Sequence, residues 1–264
     1  MSQALKIGVI GGGGWLGGAI AGWLLDTGTV RPEHLSLSYR GRRPDRLPEI
    51  FWTDDNQALA DRSDAIIVSV RPADWPSLAA DCRGRLVISV MAGIGLDALA
   101  RHHKSDRVVR TLPNAAAEVG KSYTPWIAAP AATQDDRAIV RAIFDACGTQ
   151  AEVASERDID YLTGLSGSGP AFPALLAAAM MRDAVAFGLA PEIARQGVNA
   201  VLVGAGRLTE RRDECPGDVV EAFVGYRGTT AAAIETMRAG GFDAIVAAGL
   251  AAAFEKSVTM GKSS

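Results

Sequence analysis

The chain has 264 residues, a net charge of -3 and a hydrophobic content of 48%. That length fits one large domain or two ordinary ones, and the apolar content is ample for buried cores. The charge balance favours neither nucleic acid nor an acidic membrane surface as a partner. The longest apolar stretches, Pro170–Met181 and Ala244–Phe254, are too short to span a bilayer. Because the first residues are polar and do not resemble a secretory signal, we expect a cytoplasmic protein.

Neither the cysteines nor the histidines form a metal-binding pattern. Cys82, Cys147 and Cys215 are widely spaced and form no C-x-x-C pair, which is typical of reduced thiols. His102 and His103 stand between two basic residues at the end of a predicted helix. We therefore predict solvated histidines and no metal site.

A glycine-rich turn between a strand and a helix dominates the first part of the chain. The run Ile7–Ile10 is typical of a buried parallel strand, and apolar residues recur with helical spacing from Trp15 onward. Such a turn lets the backbone approach a pyrophosphate, while the helix N-terminus offers free N–H groups. We predict cofactor contacts at Gly11, Gly13, Gly14, Trp15 and Leu16.

The register of this glycine turn stays open in the sequence. Counting from the strand gives Gly11-x-Gly13, whereas a shift of one residue gives Gly12-x-Gly14-x-x-Gly17. Either Gly17 or Gly18 would ease the helix onto the sheet. A flexible loop in another kind of α/β protein is the alternative interpretation.

A basic loop follows the second predicted strand. The alternating run Leu35–Tyr39 ends in Arg40-Gly41-Arg42-Arg43. In a dinucleotide-binding fold this point faces the adenosine ribose, where an acidic residue favours NAD and arginines favour the 2′-phosphate of NADP. No acidic residue follows closely, so we predict NADPH, with NADH as the alternative, and phosphate contacts at Ser38, Arg40 and Arg42. A solvated basic loop is the other interpretation.

Further buried strands alternate with helices. The apolar runs Ala65–Val70, Leu86–Val90 and Arg107–Arg110 are each followed by a proline- or glycine-containing turn. This alternation predicts a doubly wound parallel sheet with ligands at the carboxyl ends of its strands.

The pattern after residue 153 is helical. The helices are rich in Ala, Leu, Val and Met, and stretches such as Phe172–Val185 carry few charges. A domain of this size has too little interior to bury them all, which predicts a homodimer that shares these helices. We expect a dinucleotide-binding α/β Rossmann domain over residues 1–153 and an all-α substrate and dimerisation domain over residues 154–264.

Two small-residue turns precede helices of this second domain. Leu165–Phe172 contains serines and glycines closed by a proline, and Gly228–Thr230 opens an alanine-rich helix. Turns with exposed N–H groups and hydroxyls at a helix start can accept a carboxylate or lie beside a nicotinamide ring. Each could equally be an ordinary helix entry.

Together these motifs resemble the pyrroline-5-carboxylate reductase family through nearly the whole chain. The glycine turn, Val70-Arg71-Pro72, the segment from Arg110 to Asn114 and the two small-residue turns occur in the family's order. The resemblance implies a Rossmann domain followed by a helical dimerisation domain. It also implies reduction of a cyclic imine to L-proline by NAD(P)H, in a family whose dimers often assemble further into rings of five.

The resemblance also implies roles for individual residues. The backbone around Gly228 and Thr229 would hold the substrate carboxylate, the Thr230 hydroxyl would hydrogen-bond the ring nitrogen, and Ser168 would shape the pocket. Thr230 and Ser168 are thus the catalytic candidates. The remaining cofactor contacts would be Val70, Arg71, Pro72, Ala92, Gly93 and Asn114.

This chain departs from the family near the predicted substrate site. It has Val224-Gly225-Tyr226-Arg227 where the family usually reads Thr-Ser-Pro-Gly, Ala178 replaces a glutamate, and Phe172 replaces a tyrosine. One interpretation is a diverged reductase with the same substrate. The other is a different cyclic imine or imino acid, with Arg227 pairing with a second acidic group.

Two further functions compete with imine reduction. A β-hydroxyacid dehydrogenase shares the two-domain layout but uses a lysine in the second domain, and none occurs there before Lys256. A non-catalytic NADP-binding protein is the other rival. The altered segment 224–227 favours it, whereas the two retained small-residue turns oppose it.

Overall fold

A computed structural model describes residues 5–211 and 214–262 of the protein. The chain divides into two compact units. The first runs to Ser168 and takes in the chain again from Ala252, and the second is Gly169–Ala251. The domain boundary predicted between residues 153 and 154 stays a prediction.

One sheet of eight strands organises the first unit, counted over the described residues. Its order is β3-β2-β1-β4-β5-β6-β7-β8, so the chain reverses its direction of travel across the sheet between β3 and β4. This reversal is the doubly wound arrangement, and the predicted α/β Rossmann fold is confirmed. The strands are β1 Ile7–Ile10, β2 Leu35–Ser38, β3 Phe51–Thr53, β4 Ala65–Val68, β5 Leu86–Ser89, β6 Val108–Thr111, β7 Ser122–Ala128 and β8 Gly148–Glu152.

One strand pair departs from the predicted parallel arrangement. Strand β7 runs antiparallel to β6, whereas all other neighbouring strands are parallel. Only the segment 112–121 connects these two strands, and a parallel crossover needs a dozen or more residues. Neither β7 nor the three-residue β3 was anticipated from the sequence.

Helices cover both faces of this sheet. Asp55 caps α2 by accepting hydrogen bonds from the amides of Gln57 and Ala58 at 2.8 and 3.1 Å. The α-helices of this part are α1 Trp15–Asp26, α2 Asn56–Asp61, α3 Leu96–His103, α4 Gln134–Asp145 and α5 Glu156–Leu162. Three short 3-10 helices, Pro32–His34, Pro72–Ser77 and Ala115–Val119, and a π-helical turn, Thr163–Gly167, complete it.

The apolar residues of the strands divide into two cores, one on each face of the sheet. In β4, Ala65 and Ile67 join the core that contains Leu24, whereas Ile66 and Val68 join the other core. Because successive side chains of a strand point to opposite faces, a continuous apolar run is buried on both sides.

The prediction that His102 and His103 are solvated is wrong. His103 is fully buried, and its Nε2 accepts a hydrogen bond from Trp75 Nε1 at 3.0 Å. His102 is half-buried, and its ring centre lies 4.4 Å from that of Trp75. Burial lowers the pKa of His103 to about 4, so the imidazole is neutral. The flanking charges suggested a surface, but these two side chains pack against Pro72–Ser77.

The second unit is helical, and its apolar side chains are largely exposed. Among the described residues of 169–251, only Ala194, Val198 and Ala231 are buried. Large exposed side chains include Leu175, Phe187, Val203 and Ile245. The helices are α6 Ala171–Phe187, α7 Pro191–Arg211, α8 Pro216–Gly225, α9 Thr229–Ala239 and α10 Phe242–Lys262, the last of which continues into the first unit.

One helical stretch of the described chain is long and apolar enough to cross a bilayer. It spans Glu156–Phe187, 32 residues with a mean hydropathy of 1.3, and is longer than the apolar runs suggested. A bent pair, Thr229–Ala239 with Phe242–Met260, meets the same criteria when the two helices are taken together across a 55° bend. A helix that another protein chain covers has this composition as well.

Candidate active site

The turn after β1 is shaped for close backbone approach. Gly11 has a φ of +81°, and a Cβ there would lie 2.2 Å from the Ser69 carbonyl oxygen, so glycine is required. The amide of Gly14 donates to the Gly11 carbonyl at 2.9 Å, and α1 begins at the next residue. A Cβ on Gly17 would lie 2.6 Å from that same carbonyl oxygen. Gly17 therefore allows α1 to pack against the turn.

An open cleft of about 680 Å³ lies beside this turn. It is bounded by residues that follow β1, β2 and β4, which places it at the carboxyl ends of the strands, where doubly wound sheets bind ligands. The amide of Gly11 donates to Ser38 Oγ at 3.1 Å and so ties the glycine turn to the end of β2. The predicted cofactor residues that line the cleft are Gly11, Gly13, Gly14, Ser38, Arg40, Arg42, Val70 and Arg71.

The cleft also contains acidic residues that the sequence did not place there. Asp74 lies in the helix Pro72–Ser77 after β4, and its carboxylate pairs with Arg71 at 2.8 Å and with Arg40 at 3.4 Å. The hydrogen bond from Arg71, together with the charge of Arg40, holds the pKa of Asp74 below its ordinary value. Asp54 lines the same cleft. The cleft therefore contains acidic residues, although none follows β2 directly.

A fourth arginine of the basic loop stabilises the glycine turn. Arg46 Nη2 donates to the carbonyl oxygens of Gly12 and Gly14 at 2.8 and 3.0 Å. Arg42 instead pairs with Asp45 at 3.4 Å on the surface. Sequence reasoning missed Arg46, because its distance along the chain gives no sign that its side chain returns to the turn.

Six predicted cofactor residues lie outside the lining of this cleft. Trp15 opens α1 and is exposed, with its indole N–H donating to Glu118, whereas Leu16 packs against the core. Pro72 begins the helix that carries Asp74. The others are Ala92 and Gly93, in the turn after β5, and Asn114, which caps the helix Ala115–Val119. Their predicted contacts stay predictions.

The first small-residue turn, Leu165–Phe172, is connected to the segment that follows β6. Ser166 lies in the π-helical turn Thr163–Gly167, and its carbonyl oxygen accepts a hydrogen bond from Asn114 Nδ2 at 3.0 Å. Ser168 follows the turn and is exposed, and its Oγ lies 3.3 Å from the Thr163 carbonyl oxygen. Single π-helical turns are frequent at functional sites.

A buried arginine joins β6 to α5. Arg110 of β6 donates to Asp160 at 2.6 Å and to Glu156 at 3.2 Å, both in α5. Ser257 Oγ donates to Asp160 at 3.0 Å, which brings the end of α10 into this network. In the sequence, Arg110 is identified only by its position in a motif of the family. Its ion pairs could have been suspected from a charge placed inside an apolar strand.

The second small-residue turn lies at the start of α9, in the second unit. Gly228 is the N-cap residue, and α9 begins with Thr229 and Thr230. No side chain of the described residues caps this helix end, so its first amides have no side-chain partner. Arg227 has a φ of +52°, in the left-handed region, and residues 226–230 are all exposed. A helix N-terminus of this kind suits a carboxylate.

No group of three or more His, Cys, Asp or Glu side chains in the described ranges is arranged to hold a metal ion. Cys82 and Cys147 are buried, and burial raises the pKa of each thiol to about 12. These two thiols are therefore structural rather than nucleophilic.

Comparison with known proteins gives two family matches. Residues 156–260 match the family described as pyrroline-5-carboxylate reductase dimerisation, and residues 6–93 match the one described as NADP oxidoreductase, coenzyme F420-dependent. The first match covers the helices with exposed apolar faces. The second covers the glycine turn and the cleft.

Two pyrroline-5-carboxylate reductases match over nearly the full length of the chain. Pyrroline-5-carboxylate reductase of Synechocystis is 31% identical over 98% of this chain and 100% of the relative, and that of Methanosarcina acetivorans is 32% identical over 97% and 98%. Among solved structures, pyrroline carboxylate reductase of Plasmodium falciparum with NADP bound has a TM-score of 0.81. It is 25% identical and covers 97% of this chain and 98% of that one.

Proposed function

The chain belongs to the pyrroline-5-carboxylate reductase family, and from that premise we propose that it reduces the C=N bond of 1-pyrroline-5-carboxylate to give L-proline. The observation that carries this function is full-length similarity together with a glycine-turn cleft of the NADP-binding type. The enzyme is an NAD(P)H-dependent oxidoreductase. We place it in the cytoplasm.

The described residues fit a phosphorylated dinucleotide. The glycine turn at Gly11 and the N-terminus of α1 would hold the pyrophosphate. Ser38, Arg40 and Arg42 would bind the 2′-phosphate, with Arg71 beside them through its shared partner Asp74. When bound, NADPH supplies the hydride.

The substrate is proposed to bind through the start of α9. The amides around Gly228 and Thr229 would accept the carboxylate, and the Thr230 hydroxyl would hydrogen-bond the ring nitrogen. Ser168, in the loop after the π-helical turn, would shape the pocket. An imine is readily protonated and is then electrophilic, so these residues mainly orient the substrate and exclude water. No strong general base is required, and Thr230 and Ser168 serve as the catalytic hydrogen-bonding groups.

We propose that a second copy of the chain covers the apolar helices. The dimerisation match coincides with the residues whose apolar side chains are exposed, including those of α6 and α7. Burying such faces against an identical partner is the usual cause of an obligate dimer. The homodimer would form through these C-terminal helices and assemble further into a ring. The dimer interface would also explain why one helical stretch is long and apolar enough to cross a bilayer, without placing that helix in a membrane.

A second candidate substrate is favoured by one backbone feature. Arg227 adopts a left-handed conformation that costs a residue with a Cβ about 1 kcal/mol and that glycine, usual at this position in the family, adopts freely. Such strain tends to persist where the side chain is used. A cyclic imino acid with a second acidic group would give Arg227 a partner. Arg227→Gly should then lower activity with that dicarboxylic substrate and leave pyrroline-5-carboxylate reduction unchanged.

The test of the proposed function is NADPH oxidation by the purified protein with pyrroline-5-carboxylate. A six-membered cyclic imino acid and a dicarboxylic cyclic imine would be run in parallel, and L-proline would be identified as the product. We expect turnover of the five-membered ring. Thr230→Val should lower kcat more than Thr230→Ser, because only serine retains the hydroxyl. NADPH binding without turnover of any imine would instead favour a non-catalytic NADP-binding protein.

A further inference from the structure

Asp74 joins two of the arginines at the proposed 2′-phosphate site. Its Oδ2 lies 2.8 Å from Arg71 Nε, and its Oδ1 lies 3.4 Å from Arg40 Nη1. Each carboxylate oxygen therefore takes one guanidinium group. The two arginines follow different strands, β2 and β4, and all three side chains line the cleft.

The backbone holds this carboxylate in place, whereas the arginine side chains extend into solvent. The amide of Asp74 donates to the Arg71 carbonyl at 2.9 Å, and the next residue, Trp75, is buried and donates to His103 at 3.0 Å. The side chain of Asp74 is 30% exposed, compared with 75% for Arg71 and 77% for Arg40. A ligand entering the cleft can reorient the arginines more readily than it can displace Asp74.

A fixed negative charge at this position opposes a phosphate. The 2′-phosphate is the group that distinguishes NADPH from NADH, and it carries nearly two negative charges at neutral pH. It would compete with the carboxylate for the same guanidinium groups and would also be repelled by it. NADH carries a ribose hydroxyl at this point instead, and this hydroxyl can donate a hydrogen bond to an aspartate.

We propose that Asp74 limits the selectivity of the cleft for NADPH over NADH, an inference that rests on the proposed cofactor site. It supplies from the exit of β4 the acidic residue that is absent after β2. The arginines still attract the 2′-phosphate, but part of their charge is already neutralised. The enzyme consequently accepts both cofactors.

The test is direct titration of NADPH and NADH, by calorimetry in low-salt buffer, with Asp74→Asn. This change keeps the shape and an acceptor oxygen while it removes the charge. Asp81→Asn is the matched control, because Asp81 also pairs with two cations, Arg83 at 3.1 Å and Lys104 at 3.2 Å, and is 33% exposed, but does not line the cleft. We expect Asp74→Asn to tighten NADPH binding about three- to tenfold and to change NADH binding less than about twofold.

Each outcome decides the question. The proposal is supported if NADPH binds more tightly to Asp74→Asn but not to Asp81→Asn, and if added salt reduces this gain in affinity. An unchanged ratio of the two dissociation constants overturns it, and weaker NADPH binding overturns it in favour of Asp74 as an organiser of the arginines. If the wild-type protein binds neither nucleotide, the proposed cofactor site itself fails. A circular-dichroism melting curve checks that the variant is folded.

Discussion

The two compact units differ in how they bury their apolar side chains. The first unit covers both faces of its sheet with its own helices and buries residues such as Leu24 and Trp126 completely. The second unit, Gly169–Ala251, leaves most of its apolar side chains exposed. A single chain thus completes the core around its nucleotide cleft but not the core of its helical unit. We infer that nucleotide binding needs one chain, whereas turnover needs two.

The largest expected effect comes from charging the exposed helical face. Val203 in α7 is 65% exposed, and Val203→Glu should prevent dimer formation because a carboxylate cannot be buried there without a partner. The matched control is Val119→Glu, since Val119 is 67% exposed but lies in the first unit. Light scattering after size-exclusion chromatography should show a monomer for the first variant and an unchanged assembly for the second. Identical assembly states would contradict the proposed interface.

A core substitution in the first unit should act differently. Leu24 is fully buried in α1, and Leu24→Ala should lower the free energy of unfolding of this unit by about 3 kcal/mol through lost burial and a residual cavity. Because this core lies within one chain, we expect the loss to be the same at low and high protein concentration. Urea unfolding monitored at two concentrations checks this. A midpoint that shifts with concentration for this unit would show that its core is shared as well.

A smaller effect is expected from pH, again in the first unit. Burial lowers the pKa of His103 from its ordinary 6.5 to about 4. Between these values the unfolded chain binds a proton that the folded chain does not. The free energy of unfolding should therefore fall as the pH is lowered through this window, by at most about 1.4 kcal/mol per pH unit.

The variant His103→Gln isolates this contribution of His103. It removes the titrating group and should flatten the slope of stability against pH between about 6.5 and 4. His34→Gln, a change in the short helix Pro32–His34, is the control and should keep the slope. Equal slopes for the wild type and His103→Gln would contradict the assignment of a buried neutral imidazole.

The sequence predicted the fold and the glycine turn because both depend on local patterns. Apolar strand segments that alternate with segments of helical periodicity predict a doubly wound sheet. The backbone conformation at Gly11 requires glycine. Side-chain partnerships between distant segments were not predictable in this way. Arg46 returns to the glycine turn, and Asp74 reaches Arg40 from another strand. Charged residues that flank a helix end also gave no warning that His103 is buried.

The evidence for the substrate residues differs from the evidence for the cofactor residues. Gly228, Thr229 and Thr230 were identified only through the family resemblance, because a small-residue helix start by itself fits many roles. The described structure adds a helix end without a side-chain cap and the left-handed backbone of Arg227. Which imine binds depends on packing between segments far apart in the sequence, which local patterns do not determine.

The need for a shared helical domain can be tested by comparing NADPH binding with pyrroline-5-carboxylate turnover in the Val203→Glu monomer. We predict that the monomer binds NADPH within about twofold of the wild-type affinity, because the cleft and its core lie in the first unit. Turnover should fall at least about a hundredfold, because misplacing the substrate groups on the helical unit removes their alignment. A monomer that reduces pyrroline-5-carboxylate at the wild-type rate would contradict the claim that catalysis requires a shared helical domain.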